Sequence, residues 1–483
     1  MNPAAAPPTA KRVAILLAAA VTARLVTFGN PLVHVDEEFY LAAARAMCGG
    51  ALPYLDIWDR KPIGLFLLYL PAGCASPSLG VWIYQAMALG AVTWTAWTLT
   101  RIAEHAGWRA GGVPAAILYI LWLDFADGQG GQAPVFYNAL VAAAALLVVA
   151  LPARGRRGAA LAAMLLVGVA MQIKYSAVFE GVWFGLWLFW RERRAAGWTP
   201  ALALATALVA TALLPTVTAA ASYAAIGELP AFFYANFVSI LQRNADPWPE
   251  QLGNLETAAA ILLPMLGMAA AGLAGRGGGS PERRFVRGWT LAAIGGFVVF
   301  GSWFNHYALP VLVPLAICVA GSITAQRWSR RTTAIVLALV FVAGQGVLLS
   351  QRWVRGTPAQ FDRIVAAIGR SPGSLYVYSG SSLYYSFSGR PVPTRYLFPS
   401  HLQTARENGA VGVSQRGETA RILARRPAVV VVQSLDGGER PDLHAAVVGW
   451  LAAHGYRLPA RVALGNKHVD VYHAPERGRS PAV

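Results

Sequence analysis

The sequence predicts a helical membrane protein with about eleven transmembrane helices and a small α/β domain at its carboxyl end. Of its 483 residues, 56% are hydrophobic and 13% are charged, about half of the charged fraction that is usual in soluble globular proteins. The apolar residues also fall in long runs, and a helix needs about 20 of them to cross the hydrocarbon layer. Together these observations exclude an ordinary soluble enzyme.

Eleven apolar segments account for the predicted transmembrane helices. The first could be mistaken for a cleavable signal peptide, but it is too long and further spans follow it, so we interpret it as a span. The segments lie at 13–30, 80–100, 113–126, 134–152, 158–173, 176–190, 199–222, 257–275, 288–304, 306–325 and 332–350. We therefore expect a multi-pass protein.

The placement of charge predicts the orientation. The chain carries 40 basic and 23 acidic residues, and a net charge of +17 would suit nucleic-acid binding if the basic residues formed one patch. Instead they recur in every second connection, which the positive-inside rule assigns to the cytoplasm. They are Lys11, Arg12, Arg101, Arg109, Arg154, Arg156, Arg157, Arg191, Arg193, Arg194, Arg276, Arg283, Arg284, Arg287, Arg327, Arg330 and Arg331. We therefore expect membrane lipids, and no nucleic acid, as partners.

The opposite connections should face outward, because they hold few basic residues. They are 31–79, 127–133, 174–175, 223–256 and the turn at 305. An amino terminus inside and an odd number of spans also place everything after residue 351 outside. In a bacterial-type cytoplasmic (inner) membrane this side is the periplasm, where we expect the active site.

The composition changes at the end of the last span. We expect residues 1–350 to form the transmembrane domain and residues 351–483 a periplasmic α/β domain. The tail has Pro and Gly turns, short β-branched runs at 375–378, 428–432 and 467–472, and a polar helical stretch near 416–426. Its many arginines do not contradict an outer location, because long domains translocate largely regardless of charge.

The three cysteines, Cys48, Cys74 and Cys318, form no Cys-x-x-Cys pair. Cys48 and Cys74 both fall in the first outer loop, where a disulfide is conceivable, but we expect unpaired small hydrophobic residues. The sequence also lacks a Walker loop, a dinucleotide-binding fingerprint and an HExxH motif. We therefore expect the chemistry on the outer face, without a bound nucleotide.

Three consecutive carboxylates stand in the first outer loop, which spans 31–79. Asp36, Glu37 and Glu38 open a helical pattern that continues through Tyr40. At a helix amino terminus the macrodipole favours an ionised carboxylate, and a fixed carboxylate at the membrane boundary can act as a general base. The alternative is that Asp36 is only a helix cap and that the two glutamates are solvated.

A basic pair follows in the same loop. Arg60 and Lys61 precede Pro62 and an apolar piece at 63–71, which is too short to span and should lie in the interface. A cation at this depth can meet a lipid phosphate, although Asp59 could instead neutralise it. With the acidic cluster, Lys61 completes a two-part site: a base for an acceptor and a cation for a phosphorylated lipid.

Four segments of the chain carry a resemblance to a known family. They are Asp36-Glu37 after the first span, the turn Arg60-Lys61-Pro62, the stretch Gly168-Val-Ala-Met-Gln-Ile-Lys174-Tyr175, and Asn305-His306-Tyr307-Ala-Leu309-Pro310 with Pro314. These segments resemble the C-type (GT-C) membrane glycosyltransferases in their order, in their spacing and in the side of the membrane on which they are predicted to lie. The likeness is closest to the branch of protein O-mannosyltransferases, the lipid A aminoarabinose transferase and the rhizobial core transferases, and it covers about residues 12–350.

The resemblance implies a GT-C fold and a reaction. Members of the family take a sugar from a polyprenyl-phosphate carrier and pass it to an acceptor on the outer face, so that a lipid, a polysaccharide or a protein would be the acceptor here. It implies inversion at the anomeric carbon. Two competing hypotheses use the same groups without chemistry: a transporter or flippase of a lipid-linked sugar, and an inactive scaffold.

The resemblance also implies roles for individual residues. Asp36 matches the catalytic base and Glu37 its neighbour, while Lys61, with Arg60, matches the phosphate-binding loop and His306 and Tyr307 match a pair that reaches the donor phosphate. His306 and Tyr307 could alternatively be interfacial anchors. Residues of a second rank, expected near the substrates, are Tyr40, Asp59, Gln132, Asn138, Lys174 and Arg243.

The sequence departs from the family pattern after the second outer loop. Many relatives carry an acidic residue there, whereas this chain reads Gly131-Gln132-Ala-Pro134-Val-Phe-Tyr137-Asn138. Acceptor or metal contacts from this segment are thereby in doubt; Gln132 and Asn138 could bind sugar hydroxyls, although polar residues that satisfy a loop are the better interpretation. Asp36 and Glu37 could together hold a divalent cation such as Mg²⁺ or Mn²⁺, but two carboxylates are far from a full ligand shell.

Overall fold

The structure is a computed structural model that describes residues 9–151, 157–274, 279–326 and 328–475. Up to residue 355 its regular secondary structure is helical. The helices are α1 (Thr9–Arg24), α2 (Val35–Cys48), α3 (Ile63–Gly73), α4 (Pro77–His105), α5 (Arg109–Trp122), α6 (Ala133–Ala150), α7 (Arg157–Met171), α8 (Val178–Ala196), α9 (Trp198–Ala225), α10 (Leu229–Phe233), α11 (Trp248–Ala274), α12 (Pro281–Val299), α13 (Leu309–Gln326) and α14 (Arg330–Arg355), with short 3₁₀ turns between some of them.

A helix lies on each of the eleven apolar segments, namely α1, α4 to α9 and α11 to α14. By length and apolarity, five helical stretches of the described chain are long enough to cross a membrane. They are Ala133–Ala150, Trp198–Ala225, Trp248–Ala274, Asn305–Gln326 and Arg330–Ile368. The helical architecture is therefore confirmed, while the count of about eleven spans stays a prediction.

Helix α13 lies at the centre of the helical part. It packs against α5, α11 and α12 and is buried on all sides, as expected of a helix that is apolar all round. Glycine permits the closest of these contacts: a Cβ at Gly272 of α11 would lie 2.1 Å from the carbonyl oxygen of Cys318. Tight packing of α13 fixes the position of the turn that precedes it, at residues 305–308.

Helices α2 and α3 form the first outer loop and pack against each other. Cys48 ends α2 and Cys74 follows α3, and the two form a disulfide with Cα atoms 5.3 Å apart. The expectation that these cysteines are unpaired was therefore wrong. The two helices pack so closely that a Cβ added at Gly73 would lie 2.4 Å from the backbone of Ala44. Cys318 is free and buried, as expected.

The tail combines helices with a four-stranded mixed sheet. The strand order is β1-β2-β4-β3, with β1 parallel to β2 and the other neighbours antiparallel. The three β-branched runs are strands, and α18 lies on the predicted helical stretch. The elements are α15 (Pro358–Ile368), β1 (Leu375–Val377), α16 (Leu383–Ser388), α17 (Ser400–Gln403), α18 (Gln415–Ala424), β2 (Val429–Gln433), α19 (Pro441–Ala453), β3 (Arg457–Leu464) and β4 (Lys467–His473). The division of the chain into two domains stays a prediction.

Residues assigned to the same side of the membrane meet in space. On the predicted cytoplasmic side, Arg12 of α1 pairs with Glu104 of α4 at 2.7 Å, and Arg283 of α12 donates to the carbonyl of Ala106 at 2.8 Å. The basic residues Arg154, Arg156, Arg276 and Arg327, which contribute to the predicted orientation, lie outside the described residues. The pattern agrees with one consistent sidedness, and the orientation itself stays a prediction.

Candidate active site

Four loops of the helical part meet at one end of the molecule. The start of α2 brings His34 and Asp36, the loop before α3 brings Lys61, the turn before α6 brings Gln132, and the turn before α13 brings His306. These segments are far apart in the sequence, and each belongs to a connection that the charge pattern placed outside. The geometry thus gathers most of the expected residues into one site.

Asp36 lies in the first turn of α2 but does not cap it. The cap is His34, whose Nδ1 accepts from the backbone N–H of Asp36 at 3.2 Å, which leaves the Asp36 carboxylate free to contact other loops. Gln132 Nε2 donates to Asp36 Oδ2 at 3.3 Å, and Lys61 Nζ lies 3.6 Å from Oδ1. Burial disfavours the charge, but Lys61 above all holds the pKa of Asp36 well below its ordinary value. The side chain is therefore a fixed carboxylate at neutral pH.

Lys61 is held by charge and by aromatic rings. Its Nζ lies 3.6 Å from both Asp36 Oδ1 and Asp59 Oδ2. The same ammonium stands 5.2 to 5.6 Å from the ring centres of Phe39, Tyr40 and Phe398. Burial lowers the pKa of Lys61, but the two carboxylates outweigh it and raise the pKa above its usual value. A permanently charged ammonium, still 26% exposed, is therefore fixed beside Asp36.

Asp59 has several partners besides Lys61. It accepts from the backbone N–H of Lys61 at 2.7 Å, and its Oδ2 lies 3.3 Å from His401 Nε2 of the tail. Burial is opposed by Lys61 and His401, so the pKa of Asp59 lies below its ordinary value. Asp59 thus shapes the loop and shares the charge of Lys61 with Asp36.

Glu37 and Glu38 are buried rather than solvated. Glu37 packs against the loop before α6: a Cβ added at Gly130 would lie 2.2 Å from Glu37 Oε2. Burial raises the pKa of Glu37 to about 8 and that of Glu38 to about 7. Within the described residues, no hydrogen bond or ion pair joins Glu37 to Asp36 or Lys61. The structure therefore places Glu37 behind the carboxylate–lysine pair, as a largely protonated group.

The turn Asn305–Ala308 carries His306 and Tyr307 to the same place. The rings of His306 and His34 lie 5.7 Å apart, and Lys174 Nζ stands 4.3 Å from the ring centre of Tyr307. Burial lowers the pKa of Lys174, which follows α7, to about 8. His306, Tyr307 and Lys174 thus form a second group of hydrogen-bond donors next to Asp36.

A pocket opens beside this group. Its lining mixes polar side chains with apolar and aromatic ones. It is lined by Tyr137, Lys174, Ser176, Phe179, Glu180, Ala293, Gly296, Phe297, Phe300, His306, Tyr307 and Pro310. Because His306 reaches both the pocket and Asp36, a molecule in the pocket would lie next to the carboxylate.

The remaining candidates divide into site residues and structural ones. Gln132 contacts His34 Nδ1 at 2.6 Å as well as Asp36, and Tyr40 lies under the Lys61 ammonium. Asn138, by contrast, is buried and donates to the carbonyl oxygen of Leu309 at 3.1 Å. Asn138 therefore anchors the start of α13, and through it the His306 turn.

Arg60 and Arg243 are both paired with a carboxylate of the tail. Arg60 makes two hydrogen bonds to Glu407, at 2.6 and 2.9 Å, and Arg243 Nε lies 3.0 Å from Glu407 Oε1. Burial is outweighed by Arg60 and Arg243, which lower the pKa of Glu407 to about 2. One carboxylate balances the charge of only one guanidinium group, so this cluster keeps a net positive charge near the site.

The tail covers the site through more than this ion pair. Trp58 donates its backbone N–H to the carbonyl of Arg395 at 2.9 Å, and its ring packs on His401 at 4.6 Å between ring centres. Phe398 stacks on Phe39 of α2 at 5.1 Å. Residues 395–407, hereafter the roof segment, therefore form one wall of the site.

Three ligand atoms of the described residues are placed to share a metal ion. One atom each of His34, Asp36 and His306 lies within 4.8 Å of the others, a set that suits a transition metal. Glu37, expected as a ligand with Asp36, is not in this group. The set fits a resident metal poorly, because His34 Nδ1 already accepts from the Asp36 amide and Lys61 places a positive charge on Asp36. We derive no catalytic step through a metal.

Several residues of the site were missed from the sequence. Glu180 had a signal, because it is a carboxylate inside an apolar segment and such residues are usually functional. Asp127 pairs with Arg355 at 2.9 Å, but no sequence signal connects these two residues. No sequence signal pointed to His401 or Glu407 either. Long-range pairs of this kind depend on the tertiary fold.

Comparison with known proteins agrees with the expected fold. No family model and no curated protein sequence matches the chain. Among solved structures, it resembles ArnT from Cupriavidus metallidurans bound to undecaprenyl phosphate, with a TM-score of 0.62 and 17% identity over 95% of this chain and 97% of ArnT. It also resembles the Archaeoglobus fulgidus oligosaccharyltransferase tethered to an acceptor peptide, with a TM-score of 0.52 and 11% identity over 88% of this chain and 69% of that one. The resemblance to C-type membrane glycosyltransferases is thereby confirmed for the fold.

Proposed function

We propose that this protein is a glycosyltransferase that takes a sugar from a polyprenyl-phosphate donor and transfers it to an acceptor on the outer face of the cytoplasmic membrane. The observation that carries the proposal is the pair of Asp36 and Lys61, an ionised carboxylate 3.6 Å from a fixed ammonium, beside His306, which lines a pocket. A nucleophile and a phosphate need these two opposite charges at neighbouring positions. The ArnT structure, which has the same fold, holds undecaprenyl phosphate.

Lys61 is proposed to hold the donor phosphate. Its ammonium is oriented by two carboxylates and three rings, so little reorganisation is needed when a phosphate arrives. Lys174, His306 and Tyr307 supply further donors on the pocket side. As the bond between the anomeric carbon and the phosphate oxygen breaks, the bonding electrons pass to the phosphate, and these donors stabilise the charge that develops there.

Asp36 is proposed to orient and polarise the acceptor. The acceptor oxygen or nitrogen forms the new bond to the anomeric carbon from the face opposite the phosphate, which gives inversion. A carboxylate with a low pKa is a weak base, so its proton transfer follows the build-up of positive charge on the acceptor late in the reaction. His34 accepts from the backbone N–H of Asp36 at 3.2 Å and fixes the start of the helix, and Gln132 donates to the carboxylate at 3.3 Å and orients it.

The acceptor enters from the outer side, past the roof segment. A lipid, a polysaccharide or a protein fits this description, and the donor arrives laterally from the membrane. The site is proposed to face the periplasm, because the basic residues recur in the connections on the opposite side of the membrane.

The lipids that co-purify with the protein test the proposal. Wild type, Asp36→Asn and Asp362→Asn are purified in mild detergent from cells that contain the acceptor, and bound lipids are weighed by mass spectrometry. Asp362 is an exposed carboxylate of α15 and serves as the matched control. Asp36→Asn should retain a sugar-carrying polyprenyl phosphate that wild type and the control have discharged. Equal retention of the intact lipid by all three would favour a transporter and contradict the proposal.

A further inference from the structure

Glu180 is a buried carboxyl group in an apolar segment. It lies in the first turn of α8 and is 2% exposed. Among the described residues, no hydrogen bond or ion pair joins its side chain to another residue. A buried carboxyl group in an apolar helical region costs free energy unless something pairs with it, and such residues are usually functional. Glu180 is therefore a candidate for contact with a bound ligand.

Glu180 lines the pocket beside His306 and Tyr307. Ser176 and Tyr137 line it too, with the Tyr137 hydroxyl 3.2 Å from Ser176 Oγ. Phe297 and Phe300 also belong to the lining. A lining that combines hydroxyl and carboxyl groups with aromatic rings suits a sugar, whose hydroxyls need hydrogen bonds and whose C–H faces pack on rings.

The pocket lies next to the proposed reacting groups. His306 lines it and also lies beside Asp36, and Lys174 and Tyr307 line the same pocket. A sugar in the pocket would keep its anomeric carbon near Asp36 and its phosphate near the lysines.

We propose that Glu180 recognises a hydrogen-bond donor on the sugar of the lipid-linked donor, a hydroxyl or an amino group, and thereby selects which sugar is transferred. This inference rests on the proposed function, because it takes the carrier phosphate to be held at Lys61. A prenyl chain in the same pocket would leave the carboxyl group unpaired, so an apolar occupant is disfavoured.

Binding of three defined lipids tests this assignment. The probes are undecaprenyl phosphate, undecaprenyl phosphate mannose and undecaprenyl phosphate aminoarabinose, and the proteins are wild type, Glu180→Ala, Glu180→Gln and Glu256→Ala. Glu256 is an exposed carboxylate of α11 and controls for the loss of a charge. Dissociation constants are measured in detergent, and thermal unfolding shows that each variant is folded.

Wild type and Glu256→Ala should bind one of the sugar-carrying lipids at least tenfold more tightly than undecaprenyl phosphate. Glu180→Ala should abolish this preference and leave the affinity for undecaprenyl phosphate within about twofold of wild type. Glu180→Gln should keep the preference if the recognised group is a hydroxyl, since an amide oxygen still accepts, and lose it if the group is a cationic amine.

Retention of the preference in Glu180→Ala would overturn the inference, and so would a wild type that binds all three lipids equally. An equal loss of affinity for all three lipids would also overturn it, because Glu180 would then support the fold or the prenyl chain. Failure of the proposed function looks different: wild type would bind none of the three lipids, or would bind them and never discharge the sugar to any acceptor.

Discussion

At the scale of single residues, the site depends on how Asp36 and Lys61 are held. Asp36 stays ionised because Lys61 stands 3.6 Å away and the helix amino terminus favours a negative charge. Lys61 stays charged because two carboxylates face it. Each side chain thus sets the protonation state of the other; loss of Lys61 is expected to weaken donor binding, and loss of Asp36 to slow the transfer.

Replacing Lys61 with methionine should weaken donor binding. Met keeps an unbranched side chain that can pack against Tyr40 and Phe398 but lacks the charge that pairs with phosphate. We expect the dissociation constant of undecaprenyl phosphate to rise about tenfold or more. Lys467→Met, on strand β4, removes a lysine that pairs with Asp436 away from the site and should bind as wild type does. Equal affinity in the two variants would contradict the role of Lys61.

Glu37 should make stability depend on pH in the alkaline range. Its folded-state pKa of about 8 lies above the ordinary value of 4.5, so the protonated form is stabilised by folding. This contribution is fully present below pH 4.5 and is lost as pH rises through 8. The melting temperature should therefore fall by several degrees between pH 6 and pH 9, and Glu37→Gln, which cannot ionise, should show a smaller fall. If the melting temperatures of wild type and Glu37→Gln fell equally with pH, this would contradict the burial of a protonated Glu37.

At the scale of elements, the first turn of α2 and its connection to α3 position the reacting carboxylate. His34 takes the cap position, so Asp36 can point to Gln132 and Lys61 rather than to its own helix. The disulfide between Cys48 and Cys74 then fixes the far end of α2 against α3. The loop that carries Asp36 and Lys61 is thereby closed at its base.

Counting the free thiols of the denatured protein tests the disulfide. Denatured, unreduced protein should expose a single thiol, that of Cys318, and three thiols after reduction. Cys48→Ser should lower the free energy of unfolding by about 3 kcal/mol, since it opens a loop whose cysteines are 26 residues apart. Three reactive thiols without reductant would contradict the pairing.

The elements also show what the sequence could and could not predict. Apolar runs and charge placement located a helix on every predicted span, and β-branched runs located three strands of the tail. Strand β3 was missed because it lies at the sheet edge, where its side chains alternate between exposed and partly buried and include Arg457 and Arg461. The disulfide was missed because the spacing of the cysteines in the sequence does not show that α2 and α3 pack against each other.

The same limit applies to the site. Asp36, Lys61 and His306 were expected from the order and predicted side of their motifs, and they do meet. The Glu407 contacts with Arg60 and Arg243 join segments more than a hundred residues apart, and no local pattern carries that information. Asn138 was expected near the substrates, but a side-chain amide can equally satisfy a backbone carbonyl, which is what it does with Leu309.

At the scale of the whole molecule, the tail and the helical part share one site. Glu407 gathers Arg60 and Arg243, His401 contacts Asp59, and Phe398 contacts Lys61. The tail is therefore more than an appended module, because it supplies one wall of the proposed active site.

Glu407→Gln should loosen the roof segment. Removing the charge leaves two guanidinium groups partly buried without their carboxylate, and breaking a buried ion pair typically costs about 3 to 5 kcal/mol. Limited proteolysis should cut within residues 395–407 faster than in wild type. Asp442→Asn removes an exposed carboxylate elsewhere on the tail and serves as the control. Unchanged protection in Glu407→Gln would show that the ion pairs do not hold the roof segment.

Acid should release the same contact. The pKa of Glu407 is lowered to about 2 from its ordinary value of 4.5, so its stabilisation is present above pH 4.5 and is lost as pH falls through 2. The difference in proteolysis between wild type and Glu407→Gln should therefore shrink as pH falls from about 4.5 to about 2. A difference that is as large at about pH 2 as at neutral pH would contradict the assignment of the effect to this carboxylate.

The rate of sugar discharge by wild type and Asp36→Asn tests the central claim most directly. Each purified protein is loaded with a radiolabelled polyprenyl-phosphate sugar and mixed with envelope fractions that contain lipid, glycan and protein acceptors, and the release of sugar-free polyprenyl phosphate is followed. We predict discharge at least 100-fold slower in Asp36→Asn, with donor affinity within about threefold of wild type. Equal discharge rates, or wild-type protein that binds the donor and never discharges it, would contradict the account.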